Sequence, residues 1–307
     1  MNYLPEGTLW ETPANQKALA TPAGMREAMA AQTILEARAS LCDAAHNLWV
    51  DLPCGRGLIP REEGALGMED GSVRDIALIA RVNRPVCFVV RQITIDETGR
   101  PLALLSRRAA QDRCRREYVD ALRPGDVIDV RITHLEPFGA FCDIGCGLPS
   151  LIPIDCISVS RIAHPTDRFA VGDAARAVVK ARLPDGRVSL THKELLGTWQ
   201  QNADLFRPGE TVAGLIRTVE SYGCFVELTP NLAGLAEPKE GVSPGQQAAV
   251  FIKNLIPEKM KVKLIIVNAF SAPEAPRRGK YFFTGAHMDA WDYTPAGCEK
   301  IIQTRFV

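Results

Sequence analysis

The chain has 307 residues, of which 46% are hydrophobic, and its 36 basic side chains balance 36 acidic ones. This composition allows two or three hydrophobic cores, and zero net charge excludes a global electrostatic field that would attract a polyanion. A nucleic-acid binder with this balance would depend on local basic stripes and on stacking. With no apolar run of about 18 residues and no cationic stretch before an apolar segment, we expect a cytoplasmic protein without a membrane span or signal peptide. Nine cysteines without paired spacing also fit a reducing compartment.

The first third of the chain predicts short strands after a short helical start. Residues 1–22 contain prolines and little periodicity, which indicates an arm, and a short helix is predicted around 24–32. The strand-like segments that follow are TILEARASLCDA, NLWVDL, DIALIARV, PVCFVVRQITI and PLALLSRR. Short strands separated by turns are typical of a small barrel or sandwich. Residues 106–121 are rich in Ala, Arg and Gln, which predicts a connecting helix.

Two further runs of strands follow, each after a Pro-Gly pair. The second run is VIDVRITHL, GAFCDI, PSLIPI, ARAVVKARL and RVSLTHK, and the third is TVAGLIRTV, CFVEL, LAGLAEP, QAAVFIKNLI and KVKLIIV. A second connecting helix is predicted between them, over about 192–205. Five strands in each run indicate three consecutive barrels. Residues 268–307 lie beyond these runs and are rich in aromatic side chains.

One short pattern occurs once in each run. It reads HNLWVDL at 46–52, FGAFCDI at 138–144 and YGCFVEL at 222–228. The copies are roughly 90 residues apart, a spacing too long for a solenoid repeat and suited to small domains in tandem. Small apolar residues alternate with an aromatic and a carboxylate, so one side of the strand is apolar and the other is mixed.

The aromatic residue on the mixed side predicts a binding surface. A barrel core explains it poorly, whereas a base-stacking surface explains it well, since stacking contributes about 1–3 kcal/mol per base. Simple alternation would place Phe138 with the core residues. We expect a bulge at Gly139 and at Gly223 to shift the register by one and expose the preceding aromatic. The alternative is that Phe138 and Tyr222 pack beneath neighbouring loops.

The second run carries a resemblance to a known family. In order, it contains LRPGDVIDVRI, FGAFCDI, GLPSLIP, VGDAARAVVKA and DGRVSLTHKE, which together resemble the RNA-binding domain named after ribosomal protein S1. The third run matches this domain as FRPGETVAGLI, YGCFVEL, LAGLAEP and SPGQQAAVFI, and the first run is more divergent. As a whole, the chain resembles the shorter ribosomal protein S1 homologues of Gram-positive bacteria, with three tandem repeats.

The resemblance implies a fold class and a set of domains. We expect a mainly β chain of three tandem five-stranded barrels of the oligonucleotide-binding (OB) fold, joined by short helices and followed by an aromatic-rich C-terminal extension. The expected domains are an N-terminal arm and short helix (1–29), a divergent S1-like barrel (30–109), a linker helix (110–121), an S1 RNA-binding domain (122–194), a second linker helix (195–206), a short S1-like RNA-binding domain (207–267) and the extension (268–307).

The resemblance also implies RNA-binding residues. The expected stacking residues are Phe138 with Phe141 and Tyr222 with Phe225, with Trp49 as a remnant in the first repeat. That repeat has Ala45 where the others have an aromatic and His46 where they have glycine, so we expect it to have lost half of its platform. The cations expected to contact phosphates are Arg100, Arg108, Arg187, Lys193, Lys261 and Lys263. Lys259, Lys261 and Lys263 are spaced so that all three should point to one side of a strand. For each cation the alternative is a solvated surface charge.

Two basic clusters and a few polar groups leave alternatives open. The arginines of helix 106–121 fit a phosphate-binding ridge or, as we prefer, a solvated connecting helix. Arg277, Arg278 and Lys280 beside Tyr281-Phe282-Phe283 suit RNA or a ribosomal surface, or else a tail packed on the third barrel. Cys142 aligns with Val50 and Val226, so we expect a buried apolar residue there and no metal ligand.

The sequence shows no nucleotide-binding glycine loop and no hydrolase motif, so we expect neither an enzyme nor a cofactor. The leading hypothesis is non-catalytic binding of single-stranded RNA, with messenger RNA and the small ribosomal subunit as partners and no small-molecule substrate. One alternative is a protein-docking module on the ribosome or RNA polymerase, which zero net charge favours. Another is an accessory subunit of an RNA-processing complex.

Overall fold

The computed structural model describes residues 3–97, 99–272 and 278–306. The chain is mainly β, and its strands form three closed five-stranded barrels and a separate two-stranded sheet. It divides into two compact units. Unit 1 comprises Met1–Leu122 with Asp143–Pro149, and unit 2 comprises Arg123–Cys142 with Ser150–Val307.

Barrel one contains β1 (Leu35–Cys42), β2 (Leu48–Leu52), β3 (Gly55–Ile59), β4 (Pro85–Ile95) and β5 (Pro101–Ser106). Its strand order is β1-β2-β3-β5-β4, with β3 and β5 parallel. Leu48, Val50 and Phe88 lie in its core at 0–1% exposure. Alternation in β2 therefore directs Leu48 and Val50 inward and turns Trp49 outward.

The N-terminal segment folds onto this barrel. It contains α1 (Pro13–Leu19) and α2 (Pro22–Ala30), each capped by a threonine and beginning at a proline. The sequence predicted an arm over 1–22 and missed α1. The side chain of Asn15 fixes the segment, because its Nδ2 donates to the carbonyl of Glu36 and its Oδ1 accepts the backbone N–H of Glu36, both at 2.8 Å. Two further helices, α3 (Ile76–Ile79) and α4 (Arg107–Glu117), complete this part of the chain, and α4 lies within the predicted connecting helix. The predicted strand DIALIARV was wrong, since α3 occupies it, and the fifth strand of this barrel is β3.

Barrel two contains β6 (Val127–Glu136), β7 (Gly139–Asp143), β8 (Pro149–Pro153), β9 (Ala174–Arg182) and β10 (Val188–Thr191). Its order is β10-β8-β7-β6-β9. A long segment between β8 and β9 forms two short 3-10 turns. The predicted second connecting helix is shorter than expected, since only α5 (Trp199–Ala203) is α-helical and a 3-10 turn precedes it.

Barrel three contains β11 (Thr211–Glu220), β12 (Gly223–Thr229), β13 (Leu232–Ala236), β14 (Gln247–Ile256) and β15 (Lys261–Phe270). Its order, β11-β12-β13-β15-β14, matches that of barrel one, again with one parallel pair. The C-terminal extension adds β16 (Ala290–Asp292) and β17 (Gln303–Arg305), which pair antiparallel.

Aromatic side chains of the extension pack within unit 2. The Tyr281 hydroxyl accepts the backbone N–H of Arg176 at 3.0 Å and lies 3.3 Å from His192 Nε2. Trp291 and Tyr293 are buried in a core that also contains Trp199 of α5. Of the two alternatives for the tail, packing therefore describes these aromatics, although Tyr281 packs on barrel two. Arg277 lies outside the described residues.

None of the helices in the described ranges is long and apolar enough to cross a membrane.

Candidate nucleic-acid interface

The hairpin between β6 and β7 exposes an aromatic pair on barrel two. Pro137 and Phe138 form its two-residue turn, and Phe138 is 55% exposed. Phe141 is half-buried and points outward, because its neighbours Ala140 and Cys142 fill the core. The two phenyl rings lie edge to face, with centroids 5.8 Å apart and planes at 87°. This arrangement leaves aromatic surface open to solvent.

Barrel three repeats the same arrangement on the equivalent hairpin. Tyr222 lies in the turn between β11 and β12 and is 62% exposed. Its ring is 6.3 Å from that of Phe225, and the planes again meet at 87°. We call each of these two pairs a platform. Their shared geometry in two barrels argues against incidental exposure of single aromatic residues.

The bulge expected at Gly223 is absent, and the register shift of this hairpin lies on the partner strand. Gly223 pairs directly with Glu220, and the shift falls between Ile216 and Thr218 on β11. Tyr222 escapes strand alternation because it lies in the turn. Glycine is required for a different reason: a Cβ on Gly223 would lie 2.5 Å from the carbonyl oxygen of Ala236.

A row of outward-facing residues crosses barrel three beside its platform. The pairings Thr218–Phe225, Phe225–Leu235 and Leu235–Lys263 place these four residues on adjacent strands. Strands lie about 4.8 Å apart, so the backbone of Lys263 lies about 10 Å from that of Phe225 along this row. Lys261 and Lys263 are exposed and alternate with buried Val262 and Leu264, as the sequence predicted. Lys259 instead lies in the preceding 3-10 turn.

Barrel two adds a ring that the sequence analysis missed. The exposed imidazole of His134 on β6 lies 6.3 Å from the ring of Phe141, and its Nε2 is 2.6 Å from a carboxylate oxygen of Glu136. Only cross-strand pairing shows that His134 is a neighbour of this platform, because seven positions of sequence separate it from Phe141. The recurring pattern began downstream of it and gave no signal.

The predicted cations of barrel two differ in their freedom. Arg187 is exposed, and its Nε donates to Asp185 at 2.7 Å across the Asp-Gly-Arg turn. Lys193 is half-buried, and its Nζ donates to the carbonyl of Asp155 at 3.1 Å. An exposed ion pair contributes little energy, so Arg187 can exchange its partner for a phosphate at small cost.

Trp49 of barrel one is less open than the platforms. Its indole N–H donates to the Asp43 carboxylate at 3.1 Å, and the Arg56 guanidinium lies 4.4 Å from the ring centre. That cation covers one face on which a base would otherwise stack. Barrel one is therefore not built as a third platform.

The strand register agrees with the spacing of the repeated pattern and corrects the expectation that Ala45 holds the place of the platform aromatic in barrel one. The pair Leu41–Trp49 occupies the place of Thr218–Phe225, with a register shift at the same point of the strand. Counting back from these pairs, His46 corresponds to Tyr222, and Ala45 does not. His46 adopts a positive φ of 63° in a longer loop, so its backbone differs from that of the platform aromatic.

The remaining predicted cations lie in unit 1. Arg108 pairs with Glu63 at 2.5 Å and with Glu69 at 2.8 Å, which places its charge between two carboxylates. A phosphate would have to displace both, so this structure does not favour Arg108 as an RNA contact. Arg100 is exposed in the turn that Asp96 closes.

The carboxylate of the repeated pattern is buried in two of its three copies. Asp143 accepts the backbone N–H groups of Glu6 at 2.7 Å, Gly145 at 2.8 Å and Gly147 at 3.0 Å. Burial, and then the nearby charge of Glu6, raise the pKa of Asp143 to about 6. Glu227 is 0% exposed. In these two copies, the side of the strand that was expected to face solvent exposes the aromatic residue and buries the carboxylate.

Metal-ligand geometry does not occur among the described residues, where no group of three His, Cys, Asp or Glu side chains could hold an ion. Cys142 is fully buried, as its alignment with Val50 and Val226 predicted. His287 pairs with Asp126 at 2.7 Å, and this hydrogen bond raises the pKa of its exposed imidazole.

Comparisons with known proteins agree with this fold. Residues 121–193 match the family described as "S1 RNA binding domain". The small ribosomal subunit protein bS1 of Staphylococcus epidermidis is 31% identical over 180 residues, covering 53% of this chain and 46% of that protein. The bS1 homolog of Bacillus subtilis is 29% identical over 189 residues, covering 56% and 49%. The chain thus spans about half the length of the curated relatives it matches.

Among solved structures, a multidomain protein with nucleic acid binding domains from Streptococcus pneumoniae covers 77% of this chain and 74% of its own, at 13% identity and a TM-score of 0.26. The chain thus contains an S1 RNA-binding domain at residues 121–193 and, over about half of its length, is a distant homologue of the bS1 proteins of Staphylococcus and Bacillus.

Proposed function

We propose that the protein binds single-stranded RNA without catalysing a reaction and holds the strand by stacking on barrels two and three. The observation that supports this most strongly is the repeated platform, Phe138 with Phe141 and Tyr222 with Phe225, at equivalent hairpins of two barrels. The first of these lies inside the segment that matches the S1 RNA binding domain. Unpaired bases offer the faces that such rings need, whereas a duplex keeps its bases stacked.

Little sequence preference is expected from such a surface. Every base has a π-face, and stacking contributes about 1–3 kcal/mol per base regardless of its identity. Lys261 and Lys263 on barrel three and Arg187 and Lys193 on barrel two supply the phosphate contacts. Since these are few and the net charge is zero, stacking provides most of the binding energy.

The cellular setting we propose is translation in the cytoplasm, with messenger RNA as ligand and the small ribosomal subunit as the assembly partner. The names of the bS1 relatives support this, since they are small ribosomal subunit proteins. The chain matches only about half of each relative, so its role in translation needs a direct test.

Fluorescence anisotropy with a labelled pyrimidine-rich RNA tests the proposal. The parent should bind at low and at physiological salt, and a variant with Phe138, Phe141, Tyr222 and Phe225 changed to alanine should lose binding. A control variant, Val171→Ala with Leu205→Ala, removes apolar side chains of similar exposure, 55% and 48%, outside the two hairpins. Equal binding by the parent and the platform variant would refute the stacking proposal.

Exposed apolar side chains on barrel one favour docking of protein as a second function for that barrel. Leu41 is 49% exposed beside Trp49, and Ile95 at the end of β4 is 74% exposed. We propose that these side chains contact a protein of the small ribosomal subunit. Co-sedimentation with purified subunits after nuclease treatment should detect this contact, and Leu41→Asp and Ile95→Asp, made separately, should each weaken it. Co-sedimentation retained by both variants would exclude these side chains, and binding to RNA polymerase alone would favour the other docking alternative.

A further inference from the structure

A buried group of charged side chains joins barrels two and three. Arg168, in the long segment between β8 and β9, is 1% exposed and donates from Nη2 to a carboxylate oxygen of Glu227 on β12 at 2.7 Å. Arg217 on β11 donates from Nε to the same oxygen at 2.7 Å and from Nη1 to Asp167 at 2.8 Å. Charges from the two barrels thus neutralise one another, and the Arg168–Glu227 pair does so away from water, while Arg217 and Asp167 are 15% and 18% exposed. We call these four residues the seam.

A second buried contact has all its polar atoms paired across the same junction. Asn231, in the turn between β12 and β13, is 0% exposed. Its Oδ1 accepts the backbone N–H of Val159 at 3.0 Å, and its Nδ2 donates to the carbonyls of Lys193 at 2.8 Å and Gly197 at 2.9 Å. A buried amide with this many fixed partners tolerates little displacement, because a lost hydrogen bond would leave a desolvated polar atom.

The C-terminal extension spans the same two barrels. Arg176 of β9 donates to the carbonyl of Gly285 at 2.7 Å, which holds the extension on barrel two. Farther along, the Tyr293 hydroxyl donates to the carbonyl of Asn231 at 2.5 Å. The backbone carbonyl of Tyr293 accepts the backbone N–H of Trp199 at 3.0 Å. The extension therefore ties barrel two, α5 and barrel three together.

These contacts determine how barrels two and three are placed relative to each other and add little net stability. A buried ion pair gains little over an apolar pair of the same size, but removal of one partner leaves an uncompensated charge. Displacement of barrel two from barrel three would uncover Glu227 and Arg168 together. Glu227 also lies two residues beyond Phe225 on the same side of β12, so the seam borders the platform of barrel three.

We propose that barrels two and three bind one RNA strand as a single preorganised body, and that Arg168 is a positioning residue that fixes the spacing of the two platforms; this rests on the RNA-binding function proposed above. A strand long enough to reach both platforms gains the binding energy of the second platform. Because the two barrels are already fixed relative to each other, no entropy is lost in aligning them. A short oligonucleotide occupies one platform and gains nothing from the seam. The affinity for long RNA, and not for short RNA, should therefore depend on Arg168.

The test compares oligouridylates of about 6 and about 24 nucleotides, which span one and several barrel sites. Anisotropy is measured for the parent and for Arg168→Met, which leaves the Arg217–Glu227 pair in place. We expect about a tenfold loss of affinity for the longer RNA and a change of less than about twofold for the shorter one. Arg161→Met, which removes an exposed arginine from the same segment, is the matched control and should change neither value.

Hydrogen exchange at the amides of Val159 and Ser160, which bond to the β12–β13 turn, shows whether the junction has loosened. The inference would be overturned if Arg168→Met exchanged faster at these amides but kept the same ratio of affinities for long and short RNA. It would also be overturned if exchange in Arg168→Met were unchanged, or if Arg161→Met lost as much affinity for long RNA. If Arg168→Met does not fold, Arg168→Lys replaces it, with a smaller loss for long RNA expected. Failure of the parent to bind either RNA would instead refute the proposed function itself.

Discussion

Gly139 and Gly223 permit a close approach of strands beneath the two platforms, and replacing them by alanine should show what that approach costs. A Cβ on Gly139 would lie 2.5 Å from the carbonyl oxygen of Ile152, and a Cβ on Gly223 would lie 2.5 Å from that of Ala236. Both obstacles are backbone atoms of the neighbouring strand, which no rotamer change can remove. The two substitutions therefore impose the same clash on two barrels.

The expected losses of stability differ between the two substitutions because the two glycines have different backbone conformations. Relief of a contact of this kind requires the strand to move by roughly 0.5 Å, and overpacking of this degree costs about 1–3 kcal/mol. Gly223 also has a φ of +155°, at the edge of the region that favours glycine. Alanine there should add about 1 kcal/mol of backbone strain. We expect Gly223→Ala to lower the free energy of unfolding by about 2–4 kcal/mol and Gly139→Ala by about 1–3 kcal/mol.

Urea denaturation followed by circular dichroism measures both values, provided that the slope with denaturant stays unchanged. Gly186→Ala is the control for strain alone, since Gly186 has a φ of +80° and no atom within 4 Å of an added Cβ. It should cost about 1 kcal/mol. A loss below about 0.5 kcal/mol for both Gly139→Ala and Gly223→Ala would refute the close-approach explanation.

Three further predictions concern charge and stacking. Unit 1 should lose thermal stability as the pH rises from about 4 to about 7, because burial, and then the charge of Glu6, raise the pKa of Glu36 to about 7 and that of Asp143 to about 6. A carboxyl group whose pKa is raised by folding stabilises the fold fully below its unfolded pKa, and this contribution is lost as the pH rises through the folded pKa, so Glu36→Gln should flatten a calorimetric Tm profile. RNA affinity should fall with salt at a slope of roughly −1.5 to −3 in a log–log plot, for two to four phosphate contacts, and a slope near −6 would contradict stacking. Trp49→Ala should change RNA affinity less than about twofold, against roughly 5–100-fold for Phe225→Ala by anisotropy.

Local patterns predicted the barrels because each strand pairs mainly with its neighbours in sequence. Apolar alternation around Cys142 and Val226 set the inward face, and Pro-Gly pairs marked each new start. The helix α1 was missed because it is only 7 residues long, and the contacts that anchor it join Asn15 to Glu36, which lie 21 residues apart and meet only after folding. Long-range polar contacts of this kind leave no local periodicity in the sequence.

For the candidate site, the sequence predicted exposure correctly and its cause incorrectly. Phe138 and Tyr222 are exposed by their place in two-residue turns, and turn length depends on how two strands pair. The same limitation hid His134, which is close to Phe141 only across β6 and β7. The sequence also gave no sign that Arg108 would be held by Glu63 and Glu69, since those acids lie far upstream of the helix.

The acidic position of the repeated pattern shows how one motif takes three structural roles. Asp51 is exposed and accepts the Ser40 hydroxyl at 2.8 Å, so Asp51→Asn should change stability by less than about 0.5 kcal/mol. Asp143→Asn would place an amide against a backbone N–H that the carboxylate now accepts, a loss of about 1–3 kcal/mol. Glu227→Gln would leave Arg168 buried without its counter-charge, a loss of about 3–5 kcal/mol.

This order of stability losses distinguishes two explanations of the acidic position: a surface role common to all three copies, or the buried contacts of two of them. If the pattern mattered only as a surface feature beside the aromatic residue, the three substitutions would cost about the same in urea denaturation, and each would reduce RNA affinity in proportion. Because the structure places two of these acids in buried contacts, we expect the loss of stability to be smallest for Asp51→Asn, larger for Asp143→Asn and largest for Glu227→Gln. Equal losses, or the largest loss at Asp51, would show that the buried contacts do not control the energetics of this position.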